Sequence, residues 1–510
     1  MHQGKNKNLE AIQFILDLLG CCGYFLKING TLMIRKEIQM IPPRTKIVCT
    51  IGPATRSREV LKELILAGMN VARLNFSHGT HSEHKKVADS VKSLSRSLNR
   101  SVAIMLDLQG PKIRTGLIKG GTLRVKAHDP FTITTRAVKG EPGIISTTYR
   151  GITKELQPGD KILMDDGLIE LKVRNKNKTD LFCEVVSGGI IGEHKGINLP
   201  GITTGIPAVT EKDKKDLDFG LEMGIDFVAA SFVRSAGDVQ VLKRILKKKG
   251  ANIPVISKIE KPQALDKLEE IINASEGIMV ARGDLGVELS PEQVPVAQKK
   301  MIALANQKRK IVITATQMLE SMTEHPLPTR AEASDVANAI VDGTDAIMLS
   351  GETSVGKYPV KAVKMMARIA RVTEKNFPAT APFSRKTSNF SDTISEAACL
   401  AARNLGLKAI TPFSQSGFTA RLISKYRPSV PIIALTPTEA VQRSLALSWG
   451  VKTLLLPLVD NSDLMIKAME EQLRKKRLVK KNDRIVIVAG FPLMKQGKTN
   501  TMRLHVVGEE

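Results

Sequence analysis

From Pro43 onward, short unbroken runs of Val, Ile, Ala and Leu alternate with longer stretches whose apolar positions recur at helical spacing. The short runs read as strands at Lys46 to Ile51, Asn70 to Asn75, Val102 to Asp107, Asp226 to Ser231, Pro254 to Ile259, Gly277 to Ala281, Lys310 to Ala315 and Asp345 to Leu349. Helical stretches such as Ser57 to Ala67, Glu211 to Leu221, Ala264 to Ile272 and Pro291 to Lys308 follow them, and only the third strand has its helix displaced. Strands that are apolar at consecutive positions are buried on both faces, and when helices join them they form a parallel sheet. Eight such units predict an α/β chain with a closed (β/α)8 TIM barrel, an open doubly wound sheet being the alternative.

The displaced helix is explained by an insertion. Residues 112–208 are rich in Gly, Val, Ile and Thr, alternate at Thr122 to Lys126 and Leu168 to Val173, and turn at Asp166-Gly167. They predict a small inserted β-barrel domain that leaves the face where barrel active sites form. The barrel then occupies 44–111 and 209–380. A Pro, Ser and Thr rich linker at Phe377 to Ser391 leads to a C-terminal α/β domain, 381–510, with strands at Ala409 to Phe413, Ile432 to Thr436, Thr453 to Pro457, Arg484 to Ala489 and Met502 to Val507. Residues 1–43 form an N-terminal extension; Met33 and Met40 leave the true start of translation open.

Composition narrows the function classes. Hydrophobic residues at 42% and charged residues at 25% exclude a disordered or fibrous chain. The five cysteines are scattered without a C-x-x-C pair, which argues against zinc and fits a reducing, cytoplasmic setting. The apolar run Ile12 to Leu26 is broken by Asp17 and falls short of the ~20 residues of a membrane span, so no membrane partner is expected. A net charge of +25 invites a nucleic-acid reading. Yet Lys247 to Lys249, Lys299 with Lys300, and Arg474 to Arg477 fall at predicted helix C-termini, where cations meet the negative end of the helix dipole, and no nucleic-acid partner is expected.

Polar and charged groups gather at strand ends: Arg73 and Asn75, Asp107, Ser231, Lys258 and Glu260, Asp284, Thr316, and Ser350 with Glu352. One such residue is commonly a cap or turn former, but in a closed barrel all share one mouth. Glu260 and Asp284 are carboxylates on adjacent strands beside Lys258 and Arg73; such hard oxygen ligands suit Mg2+, which fills its octahedron with water and substrate phosphate. A glycosidase pair is disfavoured because the neighbouring cations are expected to keep both carboxylates ionised.

At these residues the chain resembles pyruvate kinase over most of its length. The resemblance rests on Lys46-Ile-Val-Cys-Thr-Ile-Gly-Pro-Ala-Thr55, Ala72-Arg-Leu-Asn-Phe-Ser-His-Gly79, Leu106-Asp-Leu-Gln-Gly-Pro-Lys-Ile-Arg-Thr-Gly116, Lys195-Gly-Ile-Asn-Leu-Pro-Gly201, Ile256-Ser-Lys-Ile-Glu260, Met279-Val-Ala-Arg-Gly-Asp-Leu-Gly286 and Ala315-Thr-Gln-Met-Leu-Glu-Ser-Met322. It implies transfer of the phosphoryl group of phosphoenolpyruvate to ADP, with Arg73 and Lys258 on the phosphoryl group, and Glu260 and Asp284 on Mg2+ or its substitute Mn2+. It implies Gly283 and Thr316 at the substrate carboxylate, a water beside Thr316 as proton source, and the inserted domain as a lid. Arg114 and Lys195, with Pro53, Asn75 and His78, are the implied nucleotide contacts.

The family's K+ ligands match Asn75, Ser77, Asp107 and the carbonyl of Leu108, but Lys112 stands where K+-requiring members carry Glu, so K+-independent activity is expected. The C-terminal domain resembles an effector-binding domain, in which Ser414, Ser416 and Thr419 offer either helix capping or a phosphate site for an allosteric effector. A homotetramer is implied. The competing enzyme is a Mg2+-dependent barrel lyase that makes a pyruvate enolate, which has no use for the nucleotide lid carrying Arg114 and Lys195. The competing non-enzyme is a basic nucleic-acid binder on an old enzyme scaffold.

Overall fold

The computed structural model describes residues 27–28, 31–32, 42–378, 389–457, 461–492 and 499–509. Most of the N-terminal extension and most of the linker lie outside these residues. Eight parallel strands close into a barrel in chain order: β1 (Lys46–Thr50), β2 (Val71–Asn75), β3 (Ala103–Asp107), β4 (Phe227–Ala230), β5 (Val255–Ile259), β6 (Gly277–Ala281), β7 (Ile311–Ala315) and β8 (Ala346–Leu349).

The continuous apolar runs are explained by two cores. Ile47 and Cys49 point outward to the helices while Val48 points inward, and Val312 points outward while Ile311, Ile313 and Ala315 point inward. The inner core also contains Ala446 and Leu447 of the C-terminal unit, which plug the end of the barrel where the strands begin. Helices start where side chains satisfy the free N–H groups: Thr80 with Glu83, Thr210 with Asp213, Ser235 with Asp238 and Thr329 with Glu332 each form a reciprocal cap. The predicted helix Ala264 to Ile272 is instead two, Pro262–Asp266 and Leu268–Ala274, with Lys267 between them. Lys299 and Lys300 lie midway along Gln293–Gln307, so they do not cap a helix end; Lys299 instead pairs with Asp342.

The insertion leaves after β3 as a seven-stranded, mainly antiparallel sheet with a separate two-stranded ribbon. Its strand order is open, unlike the closed barrel expected. Its edges, Ile113–Arg114 and Ile144–Ser146, are joined by a single bridge between Thr115 and Thr147, because two- and three-residue edges are too short to build a ladder. The C-terminal unit is a five-stranded sheet ordered Val451–Leu455, Ile432–Thr436, Ala409–Pro412, Arg484–Ala489 and Thr501–Val506, with only the last strand antiparallel.

Lys46 crosses from the barrel to this unit: its Nζ donates to the Val451 carbonyl at 2.7 Å. Burial, only partly offset by Glu374, pushes its ammonium down to about 8. The unfolded chain therefore binds more protons between about pH 8 and 10.5 than the folded one, and this residue's contribution to stability rises with pH across that window. Melting temperatures of wild type and Lys46→Met should reveal it: the difference in favour of wild type grows from pH 8 to pH 10. A difference that stays constant or shrinks would contradict the assignment.

Candidate active site

The C-terminal ends of the barrel strands carry a connected set of charges. In β2, Arg73 donates from Nε to Asp107 Oδ2 at 2.6 Å and from Nη1 to Thr50 Oγ1 at 2.8 Å, so its guanidinium is locked from two neighbouring strands. Asp107, at the end of β3, lies 3.3 Å from Lys258 Nζ. Lys258 in turn donates to Ser231 Oγ at 2.8 Å and lies 3.0 Å from Glu260 Oε1. All four charged groups are buried.

Their electrostatics follow from that burial. For Asp107, the desolvation that raises a carboxyl is outweighed by Lys258 and Arg73, which hold it below the ordinary range. For Lys258, burial lowers the ammonium, but Asp107 and Glu260 together raise it above its usual value. Glu260 behaves differently: burial pushes its carboxyl up by more than Lys258 pulls it down, and Asp284 adds to the rise. The neighbouring cations thus do not hold Glu260 below its usual range as they do Asp107, because desolvation in the strand-end layer exceeds one ammonium's attraction.

Glu260 Oε2 accepts from the Phe232 amide at 2.6 Å, whereas Oε1 is buried without an aligned hydrogen bond. A buried carboxylate oxygen that meets only the Lys258 ammonium, with Asp284 on the next strand's exit, offers the pair of hard oxygen ligands that Mg2+ takes from protein, and these residues fit it.

Asp284 lies in the first turn of the short helix Arg282–Glu288 after β6. Its Oδ1 lies 3.7 Å from Lys112 Nζ of the insertion, so Lys112 stands at this carboxylate. The residues matched to K+ ligands lie together but are already engaged by protein donors. Asn75, which faces Asp107 in the strand register, accepts from the Ser77 amide at 3.1 Å, and the Leu108 carbonyl accepts from Ser231 at 2.7 Å.

Thr316 follows β7 with φ 66°, a left-handed conformation costly for a β-branched residue. Its Oγ1 accepts from the Gly283 amide at 2.7 Å and donates to the Ala315 carbonyl at 2.6 Å. Arg282 holds this turn by donating from Nη2 to the Thr316 carbonyl at 2.7 Å while Nη1 meets Asp335 at 2.7 Å. Sequence reasoning assigned Arg282 no role, although its place between Ala281 and Gly283 at a strand exit was the available signal. Glu352 is corrected in the other direction: its carboxylate accepts from the Leu319 amide at 2.9 Å and the Ser350 amide at 2.7 Å, so it braces loops. The buried Ser350 hydroxyl has no partner among the described residues.

On the insertion, Arg114 donates to the His194 carbonyl at 2.8 Å, and Lys195 pairs with Asp165 at 2.7 Å. Strand pairing sets Arg114 against Gly196, beside Lys195. Partial burial, then Arg114, Lys112 and Arg73 in that order, push the His78 imidazole below its usual value. Cations from β2, from the chain leaving β3 and from the inserted sheet therefore act on one point. Pro53 lies exposed in the turn after β1. Asn198 of the insertion also reaches Glu288, at 3.4 Å, and Glu288 pairs with Lys261.

The C-terminal motif divides. Thr419 shares a hydrogen with Thr499 at 2.7 Å, and the Ser414 amide donates to Leu435, so both are engaged within the sheet unit. Ser416 lines a cavity with Phe418 and Arg421.

Residues 42–363 match the family model described as the pyruvate kinase barrel domain, and residues 392–505 match the pyruvate kinase alpha/beta domain. Over 472 residues the chain is 46% identical to a pyruvate kinase of Clostridium perfringens (strain 13 / Type A), covering 91% of this chain and 100% of that one. A pyruvate kinase of Mycobacterium tuberculosis (strain H37Rv) is 44% identical over 467 residues, 92% and 99% of the two chains. Among solved structures, a pyruvate kinase from Cryptosporidium parvum superposes with a TM-score of 0.86 at 37% identity, covering 96% of this chain and 100% of that one. With the barrel, the lid-like insertion and the charged mouth on one chain, these matches show that the protein belongs to the pyruvate kinase family.

Proposed function

We propose that phosphoenolpyruvate binds across the barrel mouth between Arg73, Lys258 and Thr316, and that ADP enters beneath the insertion against Arg114, Lys195, His78, Asn75 and Pro53. The chain is a phosphotransferase that makes pyruvate and ATP, the final step of glycolysis. The observation that supports these site roles is the convergence of Arg73, Lys112 and Arg114 on His78 beside the buried Arg73–Asp107–Lys258–Glu260 chain.

Oxygen of the ADP terminal phosphate attacks phosphorus, the bond from phosphorus to the enol oxygen breaks, and the enolate takes a proton at carbon. Charge spreads over the phosphoryl oxygens in a loose transition state, so fixed cations placed there carry the catalysis. Arg73, clamped by Asp107 and Thr50, arrives with no reorganisation. Lys258, fully charged between Asp107 and Glu260, stabilises the enolate oxygen as it forms. The Gly283 backbone and the Thr316 hydroxyl orient the substrate carboxylate, and a water held by Thr316 supplies the proton. Glu260 and Asp284 would hold Mg2+, or Mn2+ in its place, which when bound would supply further positive charge.

K+ is dispensable in this reading because Lys112 brings an ammonium to the mouth, and the K+ ligand set is Asn75, Ser77, Asp107 and Leu108. The division into a barrel at 44–111 and 209–380, a lid at 112–208 and an effector-binding unit at 381–510, with phosphate at Ser414, Ser416 and Thr419, belongs to the same proposal, as do a cytoplasmic homotetramer and the absence of nucleic-acid and membrane partners. No helix among the described residues is long and apolar enough to cross a membrane.

A coupled assay of pyruvate formation from phosphoenolpyruvate and ADP with Mg2+, at fixed ionic strength, tests the reading. Wild type is expected to turn over equally with and without K+, and Lys112→Glu to lose about tenfold or more in rate when K+ is withdrawn. A strict K+ requirement in wild type rules out the role given to Lys112, and absence of turnover under all conditions rules out the site roles.

A further inference from the structure

The turn that follows β2 carries His78, whose own side chain is exposed, so its place depends on how the backbone beneath it is held. The Phe76 amide donates to the Asp107 carbonyl at 3.0 Å and the His78 amide to the Asn75 carbonyl at 3.2 Å. These bonds fix the amides of the turn and leave the carbonyls of Phe76 and His78 to be answered from elsewhere. Gly79 follows at φ 75°, and a residue without a Cβ adds little stiffness of its own.

Side chains from two helices answer the two carbonyls. Lys212 of Glu211–Met223, the helix that restarts the barrel after the insertion, donates from Nζ to the Phe76 carbonyl at 2.6 Å and pairs with Asp216 at 2.5 Å. His84, at the start of helix His81–Ser97, brings Nε2 to 2.9 Å from the His78 carbonyl; a carbonyl only accepts, so Nε2 carries the hydrogen. The His84 ring is 8% exposed and stacks on the Phe76 ring, with centroids 4.2 Å and planes 13° apart, so its donor arrives in one orientation. A Cβ at Gly79 would stand 3.3 Å from the same Nε2, which shows how closely ring and turn meet. A histidine that only filled space could stack on Phe76 without reaching the backbone of the one residue on which Arg114, Lys112 and Arg73 all act.

We propose that His84 is a positioning residue of the nucleotide subsite: its Nε2–H fixes the His78 carbonyl, and through it the direction in which the His78 ring meets ADP. The inference rests on the nucleotide role given to His78 above and deepens it.

Steady-state kinetics on the full chain, with ADP and phosphoenolpyruvate varied separately, test it. His84→Asn, whose amide is one bond too short to reach the carbonyl, is expected to raise KM for ADP about tenfold while KM for phosphoenolpyruvate stays within about twofold, the scale of one lost hydrogen bond confined to one subsite. His84→Gln carries its amide nitrogen as many bonds from the backbone as the imidazole Nε2, and is expected to return KM for ADP to within about threefold of wild type. His78→Ala is expected to raise KM for ADP at least as much as His84→Asn, and the double variant to be no worse than His78→Ala alone, because the two residues act as one unit. Four results would each overturn the inference and leave the role of His78 standing: KM for ADP raised in His78→Ala but not in His84→Asn, a rise of about tenfold in His84→Gln, losses that add in the double variant, or an equal rise in both KM values. KM for ADP unchanged in His78→Ala would overturn that role and the inference with it.

Discussion

Lys258→Ala is expected to lower kcat about a thousandfold, the scale on which removal of a fixed cation or oxyanion donor acts in acyl and phosphoryl transfer. The residue stands 3.3 Å from Asp107 and 3.0 Å from Glu260, and no other ammonium lies within ion-pair distance of either among the described residues. Its loss removes the charge that stabilises the enolate oxygen and leaves the buried Glu260 without its ammonium, while Asp107 keeps Arg73. The second effect costs stability, about 3–5 kcal/mol for a broken buried pair. Melting curves and the KM for phosphoenolpyruvate therefore need to accompany the rate. A folded variant with a kcat within tenfold of wild type would remove Lys258 from the chemistry.

Asp345→Ala should destabilise the protein by about 3–5 kcal/mol without touching the catalytic mouth. Asp345 is fully buried just before β8. It pairs with Lys425, lies 2.9 Å from Arg427 Nη1, and accepts from the Val312 amide at 2.8 Å. Removing it strands two cations from the C-terminal unit against the base of the barrel and leaves a barrel amide unpaired. Urea denaturation should show the loss in the midpoint. A shift equivalent to less than about 1 kcal/mol would contradict the assignment and mean that hydrogen bonds to water or to Asn306, which accepts from Lys425 at 3.0 Å, suffice to solvate the stranded cations.

The eight barrel strands were legible because burial on both faces forces unbroken apolar runs, and each lies within a residue of its predicted ends. The reciprocal caps at Thr210 and Ser235, which sequence reasoning did not single out, are equally local, since a hydroxyl and a carboxylate three residues apart satisfy nearby N–H groups. Arg73, Lys258, Glu260 and Asp284 could be named from strand-end position alone. The geometry among them could not: no local pattern says that Arg73 leans on Asp107 and Thr50, that Lys112 reaches Asp284, or that Thr316 adopts a positive φ under the grip of Arg282. Glu352 carries the same strand-end signal as Glu260, yet it braces backbone amides, because side-chain direction depends on loops contributed by two strands.

What the sequence by itself determined is periodic and local: the order of strands and helices, the place of the insertion, the residue types at the mouth, and the family those motifs resemble. What only the tertiary structure decided involves residues far apart in the chain. The near-closure of the inserted sheet through Thr115 and Thr147, the rise of Glu260 above its usual range, and the tie from Lys212 to the Phe76 carbonyl each depend on distance and burial. The physical reason is that apolar periodicity is written residue by residue along the chain, whereas desolvation and Coulomb attraction depend on which groups folding brings together.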